Sequence, residues 1–336
     1  MLKRLFGRQR TRAGFQRKPL PTRGQLLGSS RLFDQLFRIV DVETTGLNPQ
    51  WDGVCEIAYA IVRGDGTIFN SGSTFVHPGK SIPASAEAVH GIRNEDVAGM
   101  PTLVEAVYGI PELYEPPLPL VAHGMDFDLG FLSRIRIFVA NNSPCICTLQ
   151  IARDLLPGVH QYDLVSLREA LQIVDTHPEL PAHRAVDDVA ATCQLFNKLL
   201  SFHLENGRPD DVDYLGRCYG SSSAATAGRA LDSEDLRLGR ELIGFALQSR
   251  TAGYQPLTGL RVAVTGELRL WSRQETELIL EALGAWVTAT VSSKTNYLIA
   301  GNTAGSKLTK AQQLGIPVLD ERGFAELVRC RAREGI

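Results

Sequence analysis

The pattern of apolar and polar positions along the chain predicts two regions of regular secondary structure. In the first region, a mostly apolar run at 37–42 is typical of a buried strand, and a shorter run at 120–123 predicts a second strand. Two later segments carry apolar residues at helical spacing: Leu129, Leu132, Ile135 and Val139, then Val186, Val189, Ala190, Cys193 and Leu200. Helices are therefore expected after 120–123 and again after Pro181.

The second region begins near Leu257 and alternates strands with helices over a short length. Strands are predicted at 260–266, 284–287, 295–301 and 315–319, and helices at 273–283, at 305–311 and from Arg322. This alternation is typical of a small parallel α/β domain.

The stretch at 203–256 separates the two regions. Small residues at 220–228 are typical of a flexible linker. An amphipathic helix is predicted at 231–247, with Asp232 or Ser233 as its N-cap. From sequence alone, docking of this helix on either domain and binding to a partner fit equally well.

Two carboxylates, Asp41 and Glu43, stand at the end of the first predicted strand. Side chains at positions i and i+2 of a strand point to the same face, so these two acids converge on one spot. Like charges beside a core are unfavourable unless a cation neutralises them. An isolated Asp-x-Glu pair more often marks an ordinary strand end in solvent, so the interpretation depends on further carboxylates.

Further acids occur where they can join this pair. Asp128 falls in the first turn of the helix after 120–123, although an acid there could simply complement the helix dipole. His183 stands at the entrance to the next helix, with Asp188 about one turn further in. Taken singly, His183 fits a surface or capping role better than a catalytic one.

Together with the segment 89–97, these clusters resemble the DEDDh family of 3′→5′ exonucleases, which contains the proofreading epsilon subunit of bacterial DNA polymerase III. The resemblance covers about residues 35–202 and implies an α/β, ribonuclease H-like domain with a mixed sheet flanked by helices. It also implies a set of active-site residues, namely Asp41, Glu43, Asp128 and Asp188 as the acidic quartet and His183 as the histidine. The family places its last acid five residues after the histidine, which selects Asp188 over Asp187. Asp187 is expected to face solvent.

The resemblance implies a metal-dependent reaction. Carboxylate oxygens prefer hard cations such as Mg²⁺ or Mn²⁺, and two such ions can stabilise the attacking and leaving oxygens of a phosphodiester displacement. Asp41 is expected to bridge both ions, with Glu43 and Asp188 completing one site and Asp128 helping to hold the other. His183 is expected to take the proton from the attacking water. The expected product is a nucleoside 5′-monophosphate released from a 3′ end.

Contacts with the substrate are carried over from the same family. The backbone at Thr44 and Thr45 is expected to meet the terminal nucleotide, and Leu47 to pack against its base. The sequence departs from the family at three positions that supply no metal ligand, which are Gly124, Met125 and Cys147. Cys145 and Cys147 stand too close together for the usual zinc-knuckle spacing.

The second region is similar to a BRCT domain, most of all to the one that ends bacterial NAD-dependent DNA ligases. Phe324 stands where many members carry Trp. In phosphate-binding members, a Thr-Gly turn, an Arg and a Lys form a pocket, and the resemblance implies Thr265, Gly266, Arg273 and Lys307 here. The expected ligand is the 5′-phosphate of a DNA end. The alternative is a domain that only docks a protein partner, since a fold does not settle its function.

Composition narrows the class of protein. The 336 residues, of which 44% are hydrophobic, can bury two cores. The net charge is −2, so contacts with nucleic acid must come from local patches. The six cysteines show no disulfide-like pattern and fit a reducing compartment. No apolar run is long enough for a membrane span, and the expected location is the bacterial cytoplasm, in association with the nucleoid.

The first 34 residues differ from the rest. Residues 1–31 contain nine Lys or Arg, and no acid precedes Asp34. Such a tail is expected to be disordered and to attract phosphates without specificity. A solubilising tail without a partner is an alternative, and an organellar transit peptide fits less well beside two domains of bacterial type.

The sequence thus predicts a four-part organisation: a basic tail at 1–34, an exonuclease domain at 35–202, a linker with a helix at 203–256, and a BRCT domain at 257–332. The predicted function is a 3′→5′ exonuclease that acts on single-stranded DNA or DNA 3′ ends in replication proofreading or repair. An RNA exonuclease and a non-catalytic DNA-end-binding scaffold are the alternatives.

Overall fold

A computed structural model describes residues 32–140, 143–173, 184–221 and 231–334. The described chain divides into two compact units, which are 32–132 with 143–221 and 133–140 with 231–334. Most of the predicted basic tail, His183 and most of the small-residue stretch at 220–228 lie outside the described residues.

The first unit contains a five-stranded mixed sheet, as predicted. Its strands are β1 (Leu36–Thr44), β2 (Val54–Arg63), β3 (Ile68–Phe75), β4 (Leu120–Ala122) and β5 (Cys145–Cys147), in the order β3-β2-β1-β4-β5. The pairings of β2 with β1 and β3 are antiparallel, whereas β4 runs parallel to both β1 and β5. β1 lies at the centre, and Asp41 is its one partly exposed residue. The apolar run at 37–42 therefore reflects a strand covered on both faces.

Helices flank this sheet. Those of the first unit are α1 (Ala84–His90), α2 (Asn94–Val97), α3 (Leu103–Gly109), α4 (Met125–Leu132), α6 (Thr148–Leu155), α7 (Leu164–Ala170), α8 (Ala185–Glu205) and α9 (Val212–Tyr219), while α5 (Arg136–Ala140) groups with the second unit. The predicted apolar stripe places Val189, Cys193 and Leu200 of α8 in the core against β1 and β2. Phe196 of the same helix meets Phe37 edge to face, with 4.9 Å between ring centroids.

The second unit contains a four-stranded parallel sheet, which also confirms the prediction. Its strands are β6 (Arg261–Thr265), β7 (Trp286–Thr288), β8 (Tyr297–Ala300) and β9 (Val318–Leu319), in the order β7-β6-β8-β9. All three pairings are parallel. The helices are α10 (Ser233–Ala252), α11 (Arg273–Ala282), α12 (Ser306–Gln313) and α13 (Glu321–Glu334).

The amphipathic helix predicted at 231–247 is α10, and it packs within the second unit. Asp232 caps it by accepting a hydrogen bond from the Asp235 N–H, at 2.8 Å. The indole N–H of Trp271 donates to the Gly239 carbonyl at 3.2 Å, and the buried Asp235 carboxylate pairs with Arg322 at 2.6 Å. The sequence left open whether this helix docks on a domain or binds a partner. In the structure it docks within the second unit.

None of the helices in the described part of the chain combines the length and the apolar character that a membrane crossing requires.

Candidate functional site

Three of the predicted carboxylates meet at the end of β1. Asp41, Glu43 and Asp188 each offer an oxygen, and these oxygens all lie within 4.8 Å of one another. Strand alternation places Asp41 and Glu43 on one face of β1. Asp188 lies in the first turn of α8, where its N–H donates to the Arg184 carbonyl at 3.0 Å. Two elements far apart in sequence thus deliver acids to one place.

Asp128 contacts the same strand from α4. The structure places it in the first turn of that helix, as predicted, and buries it. Its Oδ1 accepts a hydrogen bond from the Val42 N–H at 3.2 Å, between Asp41 and Glu43 in sequence. Burial raises the pKa of Asp128 to about 8, and repulsion from Asp188 contributes, although the bond from Val42 opposes the shift.

The two carboxylates of β1 are also perturbed. Burial raises the pKa of Asp41 well above its usual range, and repulsion from Asp128, Asp188 and Glu43 raises it further. Burial also raises the pKa of Glu43 to about 9, with Asp188 as the next contributor. Each carboxylate therefore makes ionisation of its neighbours harder.

This donor set fits divalent metal ions. The oxygens come from aspartate and glutamate side chains, which are the ligands that Mg²⁺ and Mn²⁺ prefer. The pKa values of Asp41, Glu43 and Asp128 are raised even though the charge of Arg184 lowers that of Glu43. A bound cation would supply further positive charge and favour the ionised form of these three acids.

An ion pair beside the cluster was not predicted. Glu56 faces Glu43 across the β1–β2 pairing and is 2% exposed. Arg184 binds it with two hydrogen bonds, Nε to Oε2 and Nη2 to Oε1, both 2.9 Å long. The guanidinium also stacks 5.0 Å from the centre of the Phe75 ring. Arg184 is the residue before α8, so this pair fixes the start of the helix that carries Asp188.

The prediction for Asp187 is wrong. This residue is 4% exposed, and its Oδ2 lies 2.7 Å from Nη1 of Arg168 on α7. The packing of α8 against α7 turns Asp187 inward, where an arginine compensates its charge. Asp187 therefore contacts α7, whereas the neighbouring Asp188 lies in the acidic cluster.

The segment 89–97, singled out from sequence, holds the end of β1. His90 is buried, and its Nδ1 accepts a hydrogen bond from the Ile92 N–H at 3.0 Å. The proton therefore sits on Nε2, which donates to the Thr44 carbonyl at 3.3 Å. Burial lowers the pKa of His90, which favours this neutral form.

The predicted substrate contacts follow directly after β1. Thr44 and Thr45 are buried, and the Thr45 N–H donates to the Gly53 carbonyl at 2.9 Å. Leu47 is 84% exposed. Their contacts with a nucleotide remain predictions, as does the role of His183, which lies outside the described residues and directly precedes Arg184.

The residues predicted to form a phosphate pocket in the second unit lie near the end of β6. Lys307 Nζ donates to the Val264 carbonyl at 3.1 Å, and Arg273 pairs with Glu277 at 2.8 Å. Burial lowers the pKa of Lys307, and the charge of Arg273 lowers it further, so the two cations influence each other. Gly266 has a φ of 75°, and a Cβ there would lie 2.5 Å from the Asn302 carbonyl oxygen. The turn after Thr265 therefore requires glycine.

Comparison with known families gives two matches. Residues 39–196 match the family described as Exonuclease (RNase T), and residues 253–328 match the BRCA1 C Terminus (BRCT) domain. The two matches fall on the predicted exonuclease and BRCT regions.

The individual relatives also fall into two groups, DNA polymerase III epsilon-type proteins and DNA ligases. DNA polymerase III subunit epsilon of Aquifex aeolicus is 30% identical over 172 residues, which are 50% of this chain and 82% of that protein. A DNA polymerase III subunit epsilon-like protein of Rhodobacter capsulatus is 35% identical over 168 residues, which are 49% of this chain and 23% of that protein. The DNA ligase of Symbiobacterium thermophilum is 54% identical over 71 residues, or 21% of this chain and 10% of the ligase.

One solved structure is similar to part of this chain. Exonuclease X in complex with 5′ overhanging duplex DNA is 33% identical, with a TM-score of 0.45, over 55% of this chain and 99% of that chain. This chain spans less than a quarter of the length of the ligases and of the longer epsilon-like protein.

Proposed function

Because this chain belongs to the exonuclease family and carries a C-terminal BRCT domain, we propose that it is a metal-dependent 3′→5′ exonuclease. It removes nucleotides from the 3′ end of DNA and releases nucleoside 5′-monophosphates, in replication proofreading or repair. The observation that carries the proposal is the acidic cluster, in which the oxygens of Asp41, Glu43 and Asp188 lie within 4.8 Å. The relatives named as DNA polymerase III epsilon subunits support DNA as the substrate.

The four carboxylates Asp41, Glu43, Asp128 and Asp188 hold two divalent cations, Mg²⁺ or Mn²⁺, in this proposal. When bound, such ions stabilise the attacking and leaving oxygens of the displacement. The chain itself fixes the ligands, since β1 orients Asp41 and Glu43 and the Val42 N–H orients Asp128. His183 accepts the proton of the attacking water, because an imidazole titrates near neutral pH.

The terminal nucleotide lies at the turn after β1. Its contacts are the backbone of Thr44 and Thr45 and the side chain of Leu47. The exposure of Leu47 supports this role, since nothing in the described chain covers that side chain. The protein would act in the bacterial cytoplasm, on the nucleoid, where the basic tail adds non-specific attraction to phosphates.

The BRCT domain binds a second ligand in this proposal, the 5′-phosphate of a DNA end. Thr265, Gly266, Arg273 and Lys307 form the site. The mutual influence of Arg273 and Lys307 supports it, since two neighbouring cations suit a doubly charged phosphate. Equal binding of phosphorylated and unphosphorylated ends would leave docking of a protein partner as the role of this domain.

The test is degradation of matched 5′-labelled single-stranded DNA and RNA oligonucleotides with Mg²⁺ or Mn²⁺. The wild-type protein is expected to produce a ladder that shortens from the 3′ end, and Asp41→Ala to produce none. Asp126→Ala is the matched control, because Asp126 lies on α4 beside Asp128 but is exposed and bonded to Ser221. Preference for RNA would favour an RNA exonuclease, and no degradation of either substrate would favour a non-catalytic end-binding scaffold.

A further inference from the structure

The loop between β1 and β2 exposes two large apolar side chains. Leu47 is 84% exposed and Trp51 is 76% exposed, only four residues apart. Exposure of an indole to water is unfavourable, because an aromatic side chain of this size gains most from burial. Leu47 already has a proposed partner in the terminal base, whereas Trp51 has no assigned role.

Hydrogen bonds hold this loop in one conformation. The Asn48 carbonyl accepts the N–H groups of Trp51 and Asp52, at 3.0 and 2.8 Å. The Asp52 carboxylate in turn accepts the Asn48 N–H at 3.0 Å and the Thr45 hydroxyl at 3.2 Å. A Cβ on Gly46 would lie 2.5 Å from this carboxylate, so glycine permits the approach.

A lysine from outside the loop adds to this network. Lys80 Nζ donates to the Trp51 carbonyl at 3.1 Å and to Asp52 Oδ1 at 2.9 Å. The backbone of Trp51 is therefore fixed while its side chain stays in water. An exposed aromatic side chain on a fixed backbone is preorganised in position for a flat ligand, since the loop itself has little freedom left to lose on binding.

The loop also lies beside the acidic cluster. The Gly53 N–H donates to Thr45 Oγ1 at 3.0 Å, and Thr45 is two residues after Glu43. Trp51 is two residues before Gly53, so their Cα atoms are at most about 7 Å apart. On its other side, Pro49 contacts α4, where a Cβ on Gly130 would lie 3.2 Å from Pro49 Cγ. Gly130 is two residues after Asp128 on that helix.

We infer that Trp51 stacks against the bases of the substrate strand just upstream of the terminal nucleotide. The inference rests on the proposed exonuclease function, because it assumes that a 3′ end lies at the acidic cluster. Stacked nucleotides follow one another at about 3.4 Å along a strand, so the second to fourth bases come within reach of the indole. Every base has an aromatic face, so this contact binds the strand without reading its sequence.

Kinetics with two substrates test the inference. One is a 5′-labelled single-stranded DNA oligonucleotide, and the other is thymidine 5′-monophosphate p-nitrophenyl ester, which carries a single base. Trp51→Ala is expected to raise KM for the oligonucleotide about ten-fold, since loss of base stacking is of that order. Its kcat on the oligonucleotide and its turnover of the ester stay at the wild-type level. Trp51→Phe, which keeps an aromatic face, restores most of the affinity.

Two controls make the result specific. Trp286→Ala removes a tryptophan of the second unit that is 61% exposed. It is expected to leave KM and turnover unchanged for both substrates. An oligonucleotide with abasic sites at the second to fourth positions from the 3′ end is expected to bind wild type and Trp51→Ala equally. An unchanged KM for Trp51→Ala, or an equal loss on both substrates, would overturn the inference.

Failure of the proposed function gives a different result. In that case the wild-type protein itself cleaves neither substrate, and the affinity for a fluorescein-labelled oligonucleotide, measured by anisotropy, decides the role of Trp51. Equal Kd values for wild type and Trp51→Ala would overturn the inference and direct attention to a protein partner for this loop.

Discussion

The ends of β1 and β6 make an informative comparison, because each strand leads into a turn at Thr-Gly and each is proposed to bind phosphate. At β1 the side chains are acids that raise one another's pKa values. At β6 the side chains are cations, and the chain already satisfies them, since Arg273 pairs with Glu277 and Lys307 donates to Val264. At the first site the acids repel one another and the pKa values of Asp41, Glu43 and Asp128 stay raised, although Arg184 lies beside Glu43. At the second site the cations are internally paired.

The difference predicts how strongly each site depends on a ligand. A cluster of mutually repelling carboxylates gains much from a cation, because binding removes the repulsion as well as forming new bonds. Paired surface cations gain less, because a phosphate must first replace partners that are already present. Changes at β1 should therefore have large effects on activity and stability, and changes at β6 small effects on binding.

The largest effect is expected for Asp128→Asn. The substitution keeps the shape of the side chain but removes one charge from the proposed metal site, so the rate on single-stranded DNA should fall about 10³-fold or more. Initial rates at saturating Mn²⁺ measure this loss. Asp126→Asn on the same helix should retain the wild-type rate. A rate for Asp128→Asn within ten-fold of wild type would show that Asp128 does not hold a catalytic cation.

The next effect concerns stability. Arg184→Met would leave Glu56 buried without its cation and opposite Glu43, which should lower the free energy of unfolding of the first unit by about 3–5 kcal/mol. The double variant Glu56→Leu with Arg184→Met removes both charges and should recover most of this loss. Urea unfolding followed by circular dichroism compares the three proteins. An unchanged urea midpoint for Arg184→Met would mean that water, and not Arg184, compensates Glu56.

Local sequence features mark the acids of the proposed metal site but not the residues that support them. Asp41, Glu43, Asp128 and Asp188 each sit at a local landmark, a strand end or the first turn of a helix, and the resemblance to the exonuclease family joined them into one predicted site. Individual strands and helices were predictable because their periods are local signals. The mixed sheet of the first unit was predicted through the family resemblance. The family's spacing after His183 selected Asp188 over Asp187, and the role of His183 itself stays a prediction.

The supporting contacts depend on long-range packing. Glu56 and Arg184 are 128 positions apart in the sequence. Glu56 lies opposite Glu43 because of the register between β1 and β2, which shifts between Glu43 and Thr44. Asp187 is buried only because α7 brings Arg168 to it. No local pattern marks such partners, because each is defined by two elements that meet only after folding.

A smaller effect links the acidic cluster to pH. In EDTA, the raised pKa values of Glu43 and Asp128, about 9 and about 8, mean that the folded state holds protons that the unfolded state releases. The contribution of Glu43 and Asp128 to the free energy of unfolding is fully present below the ordinary carboxyl pKa. It is lost as the pH rises through their folded-state pKa values of about 8 and 9. Without metal, the melting temperature should therefore fall between pH 6 and pH 9, by about 5 °C.

Metal and mutation should both reverse this trend. Mg²⁺ or Mn²⁺ binds the ionised carboxylates and should raise the melting temperature most at pH 9. Asp41→Asn removes one charge from the cluster, so it should flatten the pH dependence in EDTA and raise the melting temperature at pH 9, while abolishing activity. Asp126→Asn should leave the wild-type slope. The same slope in Asp41→Asn and wild type would place the titrating groups elsewhere.

The smallest effect is expected at β6, and it tests the comparison from the other side. Lys307→Gln should weaken binding to 5′-phosphorylated duplex DNA about five-fold, because one charge-assisted hydrogen bond is lost from an otherwise intact pocket. Binding to the unphosphorylated duplex should not change. Lys310→Gln, on the same helix α12, is the matched control for the loss of one positive charge. If Lys307→Gln instead lowered binding to both duplexes equally, the cation would act through general attraction, and the turn after β6 would not be a phosphate site. If Lys307→Gln lowered binding to the phosphorylated end a hundred-fold, the internal pairing of Lys307 would not limit phosphate binding. The two strand ends would then differ only in the sign of their charges.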